Sequence, residues 1–391
     1  MYVTKPLSML KKSPAALSEP PPEGPNSGIL VIQDEETPTC CFGLSRDDKL
    51  QNLPFPQNKN LTASHFTGAT EEKSGNQYSR DSVILIPVVN QPLSSNKYYA
   101  IQPRGKHKGE AFTNSKEEDK VTCCCCSFVS DKKPQPFDPE NIYQQIEICA
   151  QKRGGFSSKS VAPDGFPPEF LRHKRWDMTA ETPDDFELHE APGLDSTLRA
   201  RLPDFNFPLP NKASKSVVVG KWYCPFIFIK ESSLKQQIKN SMYYEMTLEQ
   251  RWEQIFASEN SHNRENVVVV DVAVPTEVVS FGGVEGVPDE KNVVDGMMWF
   301  KSYSNAGGEL SVGLSTLIIE RMKWEEERFG WVGGNEKQVR VKKVEEFGGV
   351  GEWRNFGCYV LVERFKLKRM DGSLVLTYDF KHTHQIRSKW E

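Results

Sequence analysis

Alternating apolar residues mark strands in both halves of the chain. The segments SVILIPVV, KYYAIQ and VTCCCCSFV, between residues 82 and 129, are rich in β-branched and aromatic residues and are bounded by turn residues or charges. The segment SVVVGKWYCPFIFIK at residues 216–230 has the same composition, and its interruption at Pro225 indicates a bulge or an edge strand. These patterns predict mainly antiparallel sheets in two halves of the chain.

Two long helices are expected beside these strands. Asp138 as an N-cap, Pro139 at the first helical position and a stop at Gly154-Gly155 predict one helix in the N-terminal half. From Leu234 to Phe256, apolar residues recur at helical spacing, which predicts a second helix of about six turns. The fold class expected is therefore α+β, with one long helix covering the sheet of each half.

Composition changes along the chain divide it into segments. Residues 1–27 are rich in Pro, Ser and Lys, which predicts a disordered N-terminal tail. Residues 28–160 form a β-rich domain with one helix, and the prolines of residues 161–215 predict an irregular connector. Residues 216–391 form a C-terminal α+β domain with a weak internal repeat, because FGGV occurs at 281–284 and again at 347–350. FGGV leads into a strand, so it indicates a sharp turn and not a phosphate-binding loop.

The C-terminal segment gives the strongest local prediction. Asp371-Gly372 separates two alternating runs, which is typical of a hairpin with a two-residue type I′ turn. This turn also fixes the register of the two strands, and it places an ion pair on their polar face. The predicted partners are Leu367 with Leu376, Phe365 with Tyr378, Arg364 with Asp379 and Glu363 with Phe380.

This hairpin carries the candidate metal ligands of the chain. His382 and His384 are two residues apart on one strand and so face the same side, and Glu363 lies diagonally opposite His382. Two imidazoles and a carboxylate can bind a divalent metal, or act as a base and its orienting group in a hydrolase-like enzyme. The structural alternative is that these histidines bond to local carbonyls or water. We assign no catalytic residue and no cofactor, because GxSxG, HExxH, P-loop and paired CxxC motifs are absent from the sequence.

Four of the nine cysteines are consecutive: Cys123, Cys124, Cys125 and Cys126. On a strand they alternate between two faces, so one tetrahedral metal would receive only two of them. The flanking Val121 and Phe128 favour a buried core strand, in which cysteine acts as a small apolar residue. The alternative is S-acylation of these four cysteines in a membrane-peripheral protein.

Charge, hydropathy and cysteine content limit the partners and the cell compartment that the sequence allows. Lysine and arginine number 49 against 53 acidic residues, a net charge of -4 that argues against nucleic-acid binding. The apolar runs have the length of strands, so no transmembrane segment is expected, although an acylated run would allow peripheral membrane contact. Adjacent cysteines fit a reducing cytoplasm or nucleus. The serines before Glu19 leave a chloroplast transit peptide as a minor alternative.

Three stretches of the sequence resemble a known family. They are MYVTKPLSMLKKSPAALSEPPPEGPNSGILVIQDEE, KWYCPFIFIKE and DGSLVLTYDFKHTHQIRSKWE, and together they resemble uncharacterised plant proteins that carry domain of unknown function 1262. The resemblance implies a land-plant source and a soluble intracellular protein without an established activity or catalytic residues. Together with the β-rich halves, this favours a non-catalytic binding or regulatory module whose partner is a protein or a small-molecule ligand.

Overall fold

The chain consists mostly of β-strands and divides into two compact units. Unit 1 comprises Met1–Ala191 and Tyr223–Tyr243, and unit 2 comprises Pro192–Trp222 and Tyr244–Glu391. Both units are thus discontinuous in sequence, whereas the sequence predicts contiguous domains. The structure, a computed structural model, describes residues 1–35, 39–40, 45–46, 48–70, 75–123, 126–261, 266–303, 309–333 and 337–391.

The strands are numbered in chain order. Up to residue 191 they are β1 (Tyr2–Pro6), β2 (Gly28–Ile32), β3 (Thr39–Cys40), β4 (Ser45–Arg46), β5 (Lys49–Leu50), β6 (Asn60–Thr70), β7 (Gly75–Pro87), β8 (Lys97–Ile101), β9 (Lys120–Cys123), β10 (Cys126–Val129), β11 (Gln145–Ala150), β12 (Phe156–Ser160) and β13 (Asp177–Glu181). From residue 192 they are β14 (Gly193–Leu194), β15 (Val217–Pro225), β16 (Ile229–Lys230), β17 (Tyr243–Glu259), β18 (Val267–Pro275), β19 (Glu277–Phe281), β20 (Val284–Val294), β21 (Met297–Tyr303), β22 (Glu309–Ser315), β23 (Gln338–Glu346), β24 (Asn355–Arg369) and β25 (Leu374–Trp390).

The helices of the described residues are short, and the longest of them, α5, has 13 residues. The expected α+β fold with a long helix over each sheet is therefore wrong, and the protein is mostly β. None of the described helices has the length and apolar composition needed to cross a bilayer. The helices are α1 (Leu7–Lys12), α2 (Glu169–Arg172), α3 (Ser196–Arg201), α4 (Leu234–Asn240) and α5 (Thr316–Arg328).

Both predicted long helices fail for identifiable reasons. In the segment from Leu234 to Phe256, the helix α4 ends at Asn240, and the strand β17 follows. Most of β17 is buried on both faces, so its apolar residues do not alternate and instead imitate a helical stripe. After Asp138, only the 3₁₀ turn Ile142–Gln144 is helical, and β11 begins directly after it.

The expected disordered tail is also wrong. The strand β1 pairs in parallel with β2, and Tyr2 lies opposite Tyr223 on β15. The side chains of Tyr2 and Val3 are buried, and the Tyr2 hydroxyl donates to the carbonyl of Pro87 at 2.8 Å. The proline and serine content of residues 1–27 therefore gives no sign of the short strand β1, which is held in place by two buried apolar side chains.

The main sheet of unit 1 has the strand order β12-β11-β8-β7-β6-β13-β5. Its core is aromatic at the centre, where Phe55 packs edge-on against Phe156 with ring centroids 4.8 Å apart. Trp176 lies beside Phe156 at 5.3 Å and donates its indole N–H to the carbonyl of Leu171. This core fixes β6 and β7, whose cross-strand pairs later form one side of a cleft.

In unit 2, the order β15-β17-β24-β25-β19-β20-β21-β22 builds the main sheet, and β14 pairs with β15. The predicted hairpin is β24 and β25, and the predicted pairs from Glu363–Phe380 to Leu367–Leu376 are confirmed. The turn itself differs from the prediction. Its loop has three residues, and only Gly372 among them has a positive φ, of 82°. A bulge at Lys368 restores the predicted register.

The two FGGV segments differ in backbone conformation. At 281–284, Gly282 and Gly283 have φ values of 60° and 78° and form the two-residue turn between β19 and β20. At 347–350, the segment follows β23 as a loop, and its glycines have no positive φ. The same four-residue sequence therefore forms a hairpin turn at 281–284 and a loop after the end of a strand at 347–350.

Candidate functional site

The structure brings Glu363 and His382 together but separates His384 from them. Leu361 pairs with His382 while Val360 pairs with Ile386, so the register shifts across residues 383–385. His382 and Glu363 are fully buried, with the His382 Nε2 3.2 Å from Oε2 of Glu363. His384 is exposed, and its ring centroid lies 5.5 Å from that of His382. The bulge therefore removes the simple alternation that placed both histidines on one face.

Two residues from outside the hairpin complete what we call the ionic cluster: Arg199, Glu326, Glu363 and His382. Arg199 Nε donates to Oε1 of Glu363 at 2.9 Å, and Nη2 binds the second oxygen of the same carboxylate. Glu326 Oε2 lies 2.9 Å from His382 Nε2, and Glu326 Oε1 lies 3.4 Å from Arg199 Nη2. None of the four side chains is more than 4% exposed.

Helices α3 and α5 position these two residues. The Asp195 carboxylate caps α3 by accepting from the amide of Leu198 at 2.8 Å, which starts the short helix one turn before Arg199. The guanidinium of Arg199 lies 4.3 Å from the ring centroid of Phe329, just beyond the end of α5. The charge of Arg199 is therefore held between an aromatic face and a carboxylate.

A second layer surrounds the ionic cluster. Arg199 Nη1 donates to the carbonyl of Glu325 at 3.1 Å, and the Glu325 carboxylate pairs with Arg321 on α5. Gln250 on β17 donates to Oε1 of Glu363 at 2.8 Å. Counting Glu325 and Arg321, three carboxylates face two guanidinium groups, so with a neutral imidazole one added proton makes the buried group neutral.

The pKa shifts agree with this charge count. Burial, and next the charge of Glu363, raise the pKa of Glu326 well above its usual value. Burial alone would also raise the pKa of Glu363, but hydrogen bonds from His382 and Arg199 outweigh it and hold that pKa well below its usual value. The added proton therefore belongs on Glu326, while Glu363 stays ionised.

The ligand atoms of Glu326, Glu363 and His382 lie within 4.8 Å of one another, close enough for one metal ion. Arg199 already holds both oxygens of Glu363, and a divalent cation would have to displace it. His382 Nδ1 is buried without a hydrogen-bond partner in the described structure, consistent with a tautomer that carries its proton on Nε2. Chemistry on an outside substrate would require this buried group to open.

The sequence reading missed Arg199 and Glu326. Glu326 falls seven residues after Ile319 and four after Met322, on the buried side of α5, so the helical period gave a usable signal. The run of charged residues in Trp324–Arg328 is typical of an exposed helical turn, which masks this signal. Arg199 lies 164 residues from Glu363 and follows a proline-rich stretch, so no local pattern points to it.

The cysteine run lies in a hairpin apart from the main sheets. Among the strands that the structure describes, β9 and β10 pair only with each other, with Cys123 opposite Cys126. Val121 and Phe128 are 45% and 55% exposed, so these flanking residues lack the burial that the core-strand interpretation expects of them. Cys124 and Cys125 lie outside the described residues. The S-acylation of these cysteines remains a prediction.

Unit 1 also contains a cleft of about 280 Å³, which we call the unit 1 cleft. The cross-strand pair Thr62 and Ser82 lines it on β6 and β7, and Tyr243 lies at its wall. The Tyr243 hydroxyl donates to the carbonyl of Gln57 at 3.3 Å, so it is already used within the fold. Charged residues also line the cleft: Lys59, Arg104, Lys108, Glu181, Asp185 and Lys239.

Three cations of the unit 1 cleft have no carboxylate partner within the described part of the chain: Arg104, Lys108 and Lys239. Lys59 donates to the Thr182 hydroxyl at 2.8 Å. A second depression of unit 1, of about 340 Å³, differs in this respect, because its Lys11 and Lys49 pair with Glu35 and Asp177. Only the first of these two cavities presents cations that remain available to a ligand.

Comparisons with known proteins place part of the chain in context. A family described as protein of unknown function (DUF1262) matches residues 23–125, which confirms the resemblance for that segment. No curated protein matches the sequence. The crystal structure of Cry35Ab1 is similar to this chain with a TM-score of 0.51 and 11% sequence identity, and covers 86% of this chain and 90% of that chain. At this identity the likeness shows the fold alone.

Proposed function

We propose that this protein is a non-catalytic binding module whose ligand site is the unit 1 cleft. The observation that carries the proposal is the convergence of Arg104, Lys108 and Lys239 on one concave site without carboxylate partners. Small-molecule sites are concave and combine apolar walls with a few polar groups that orient the ligand. The unit 1 cleft has both, and its volume suits a compact small molecule.

The side chains of the unit 1 cleft support binding more than catalysis. Its described lining residues include no histidine and no cysteine. Its two carboxylates, Glu181 and Asp185, are exposed. General acid or base catalysis at neutral pH usually needs a carboxylate or histidine whose pKa is shifted by burial or by a close partner. Such a group is found in the ionic cluster of unit 2, where it is shut away from solvent.

Fragment screening by crystallography tests this proposal. Ser82→Trp fills the unit 1 cleft, and Ser232→Trp adds the same side chain at an exposed position outside it. We expect small-molecule fragments to collect in the unit 1 cleft of the wild type and of Ser232→Trp, but not in Ser82→Trp. Fragments that collect elsewhere in all three proteins, and leave this cleft empty, would contradict the proposal.

A divalent-metal site at Glu326, Glu363 and His382 is the second candidate function. The observation that favours it is the approach of three ligand atoms to within 4.8 Å of one another. The competing cation is Arg199, so a metal has to bind more strongly than a bidentate guanidinium. A metal here would also neutralise the excess negative charge that a proton otherwise offsets.

Metal analysis of tag-free protein tests this second candidate. We expect about one zinc or manganese ion per chain in the wild type. The variant Glu326→Gln should lose that metal, and His384→Ala should keep it, because His384 is exposed and outside the group. Metal far below one ion per chain, or equal metal in both variants, would exclude the site.

A further inference from the structure

We infer that the ligand of the unit 1 cleft is an amphiphilic anion: an aromatic or aliphatic body that carries a carboxylate, sulfonate or phosphate group. This inference rests on the proposed function, and it names the chemical class that the cleft recognises. It follows from two features of the same cleft, an apolar wall without free polar groups and a set of unpaired cations.

The apolar wall comes from the end of α4 and the start of β17. Ile238, Met242 and Tyr243 line the cleft and are buried to more than nine-tenths of their surface. Burial raises the pKa of Tyr243, and its hydroxyl donates to the Gln57 carbonyl, so this wall offers a ligand no free hydroxyl from Tyr243.

Gln57 also offers little to a ligand, although it lines the unit 1 cleft. Its amide nitrogen donates to the carbonyls of Phe55 and Leu85, and its amide oxygen accepts from the amide of Val31 at 2.7 Å. A buried amide with these bonds is part of the fold. A ligand body that contacts this wall therefore gains most by being apolar.

The cations come from separate parts of the chain. Arg104 and Lys108 belong to the segment after β8, Lys239 belongs to α4, and Lys59 precedes β6. Lys59 and Lys108 are half-buried, and a lysine of this kind buries its aliphatic stem while its ammonium group stays accessible. Charge-assisted hydrogen bonds to an anion would satisfy several of these donors at once.

The balance of charges in the unit 1 cleft argues against a cationic ligand. Four cations line the unit 1 cleft, against the two carboxylates Glu181 and Asp185. Both carboxylates are exposed, and neither forms an ion pair within the described residues. The excess of positive charge favours an anion, while a neutral apolar ligand would leave the cations without partners. A neutral ligand is therefore an outcome to be distinguished by experiment.

Two fluorescent dyes with the same aromatic body make the test. 1-Anilinonaphthalene-8-sulfonate carries a sulfonate, and N-phenyl-1-naphthylamine is the same ring system without it. We expect the wild type to bind the sulfonate at least about tenfold more tightly than the neutral dye, since hydrogen bonds to a charged group are stronger than those between neutral groups.

Matched variants locate the effect. Arg104→Gln with Lys108→Gln should lose most of the preference for the sulfonate and keep its affinity for the neutral dye. The control pair, Lys106→Gln with Lys152→Gln, removes two exposed cations outside the unit 1 cleft and should keep the preference. Ser82→Trp should abolish binding of both dyes.

The outcomes separate the two proposals. If both dyes bind equally and Ser82→Trp abolishes both, the anion inference is overturned while the binding function stands. If neither dye binds, or if Ser82→Trp leaves binding unchanged, the binding function and the anion inference fail together. A sulfonate preference that persists in the Arg104 and Lys108 double variant would also overturn the inference.

Discussion

The ionic cluster of unit 2 and the unit 1 cleft use the same residue types in opposite ways. Arg199 is 4% exposed and bonds both oxygens of Glu363, whereas Arg104 is exposed and has no carboxylate partner in the described structure. Burial makes the first arginine costly to leave unpaired. Exposure leaves the second free to meet a ligand. The comparison shows that burial and pairing, more than residue type, separate a group that holds the fold from one that is available for binding.

The largest expected effect comes from removing the cation of each site in turn. Arg199→Met leaves the buried carboxylate of Glu363 without its main partner, so we expect unit 2 to lose about 3 to 5 kcal/mol of unfolding free energy. Arg104→Met should change it by less than about 0.5 kcal/mol, because the residue is exposed. Urea unfolding followed by tryptophan fluorescence measures both. Equal urea midpoints for the two variants would show that Arg199 contributes no more to stability than Arg104.

A smaller difference in stability is expected between variants of the two carboxylates of the ionic cluster, Glu363 and Glu326. The pKa of Glu363 is lowered, so its contribution is present above the unfolded value and is lost as pH falls. The pKa of Glu326 is raised, so its contribution is full below the unfolded value and is lost as pH rises towards the folded value. Glu363→Gln should therefore destabilise the protein at pH 7 by about 3 kcal/mol. Glu326→Gln should leave it as stable or more stable there.

The measurement is the urea midpoint of both variants from pH 5 to pH 8. In the wild type, folded Glu326 keeps a proton that the unfolded chain has already lost, so stability should fall as pH rises through this range, and Glu326→Gln should flatten that slope. Two variants that lose stability equally at pH 7 would show that Glu326 is ionised in the folded state.

Unit 1 provides a pH effect of the opposite sign. The rings of His65 and His173 stack with centroids 3.6 Å apart, and burial, followed by the charge of His65, lowers the pKa of His173. A histidine with a lowered folded pKa contributes stability above its unfolded value of about 6.5 and loses it as pH falls below that value. The variant His173→Asn should therefore lose less stability than the wild type between pH 7 and pH 5.

Proton NMR of the histidine C–H signals checks this prediction directly. We expect the His173 ring to titrate below the usual range, with a modest effect on the urea midpoint because the side chain is only partly buried. A pKa for His173 above 6.5 would show that Asp81 and Glu169, which favour the charged ring, outweigh its burial.

The smallest effect on stability is expected at the β9–β10 hairpin. Replacing Cys123, Cys124, Cys125 and Cys126 by serine should leave the urea midpoint unchanged, because the flanking Val121 and Phe128 are already exposed. The same change should abolish hydroxylamine-sensitive labelling by a palmitate analogue in cells. The single variant Cys149→Ser is the control and should keep the label. Labelling that survives the fourfold replacement would exclude these cysteines as acylation sites.

The sequence predicts the structure of this protein well where residues close in sequence determine it. The Arg364–Asp379 pair follows from the turn and from strand alternation, and the two side chains are joined at 2.6 Å. The prediction holds although the turn has three residues, because one bulge restores the register. Burial on both faces instead removes alternation, and the strand β17 then cannot be distinguished from a helix by its pattern.

The candidate sites were only partly accessible from the sequence. Glu363 and His382 follow from hairpin register, whereas Arg199 reaches them from a short helix with no detectable periodicity. The unit 1 cleft combines residues from distant segments, and its lysines and arginine are of types common on any protein surface. Long-range convergence of this kind leaves no trace in local patterns.

The discontinuity of unit 1 has a consequence for synthesis on the ribosome. Its last segment, Tyr223–Tyr243, supplies the tyrosine whose hydroxyl bonds Gln57 and the tyrosine whose oxygen accepts from the amide of His189. Domains usually fold as units, the N-terminal one first. Unit 1 therefore cannot be completed until Tyr243 has emerged. Residues 192–222 have emerged by then, while their partners in Tyr244–Glu391 have not, so this part of unit 2 has to wait for the rest of its unit.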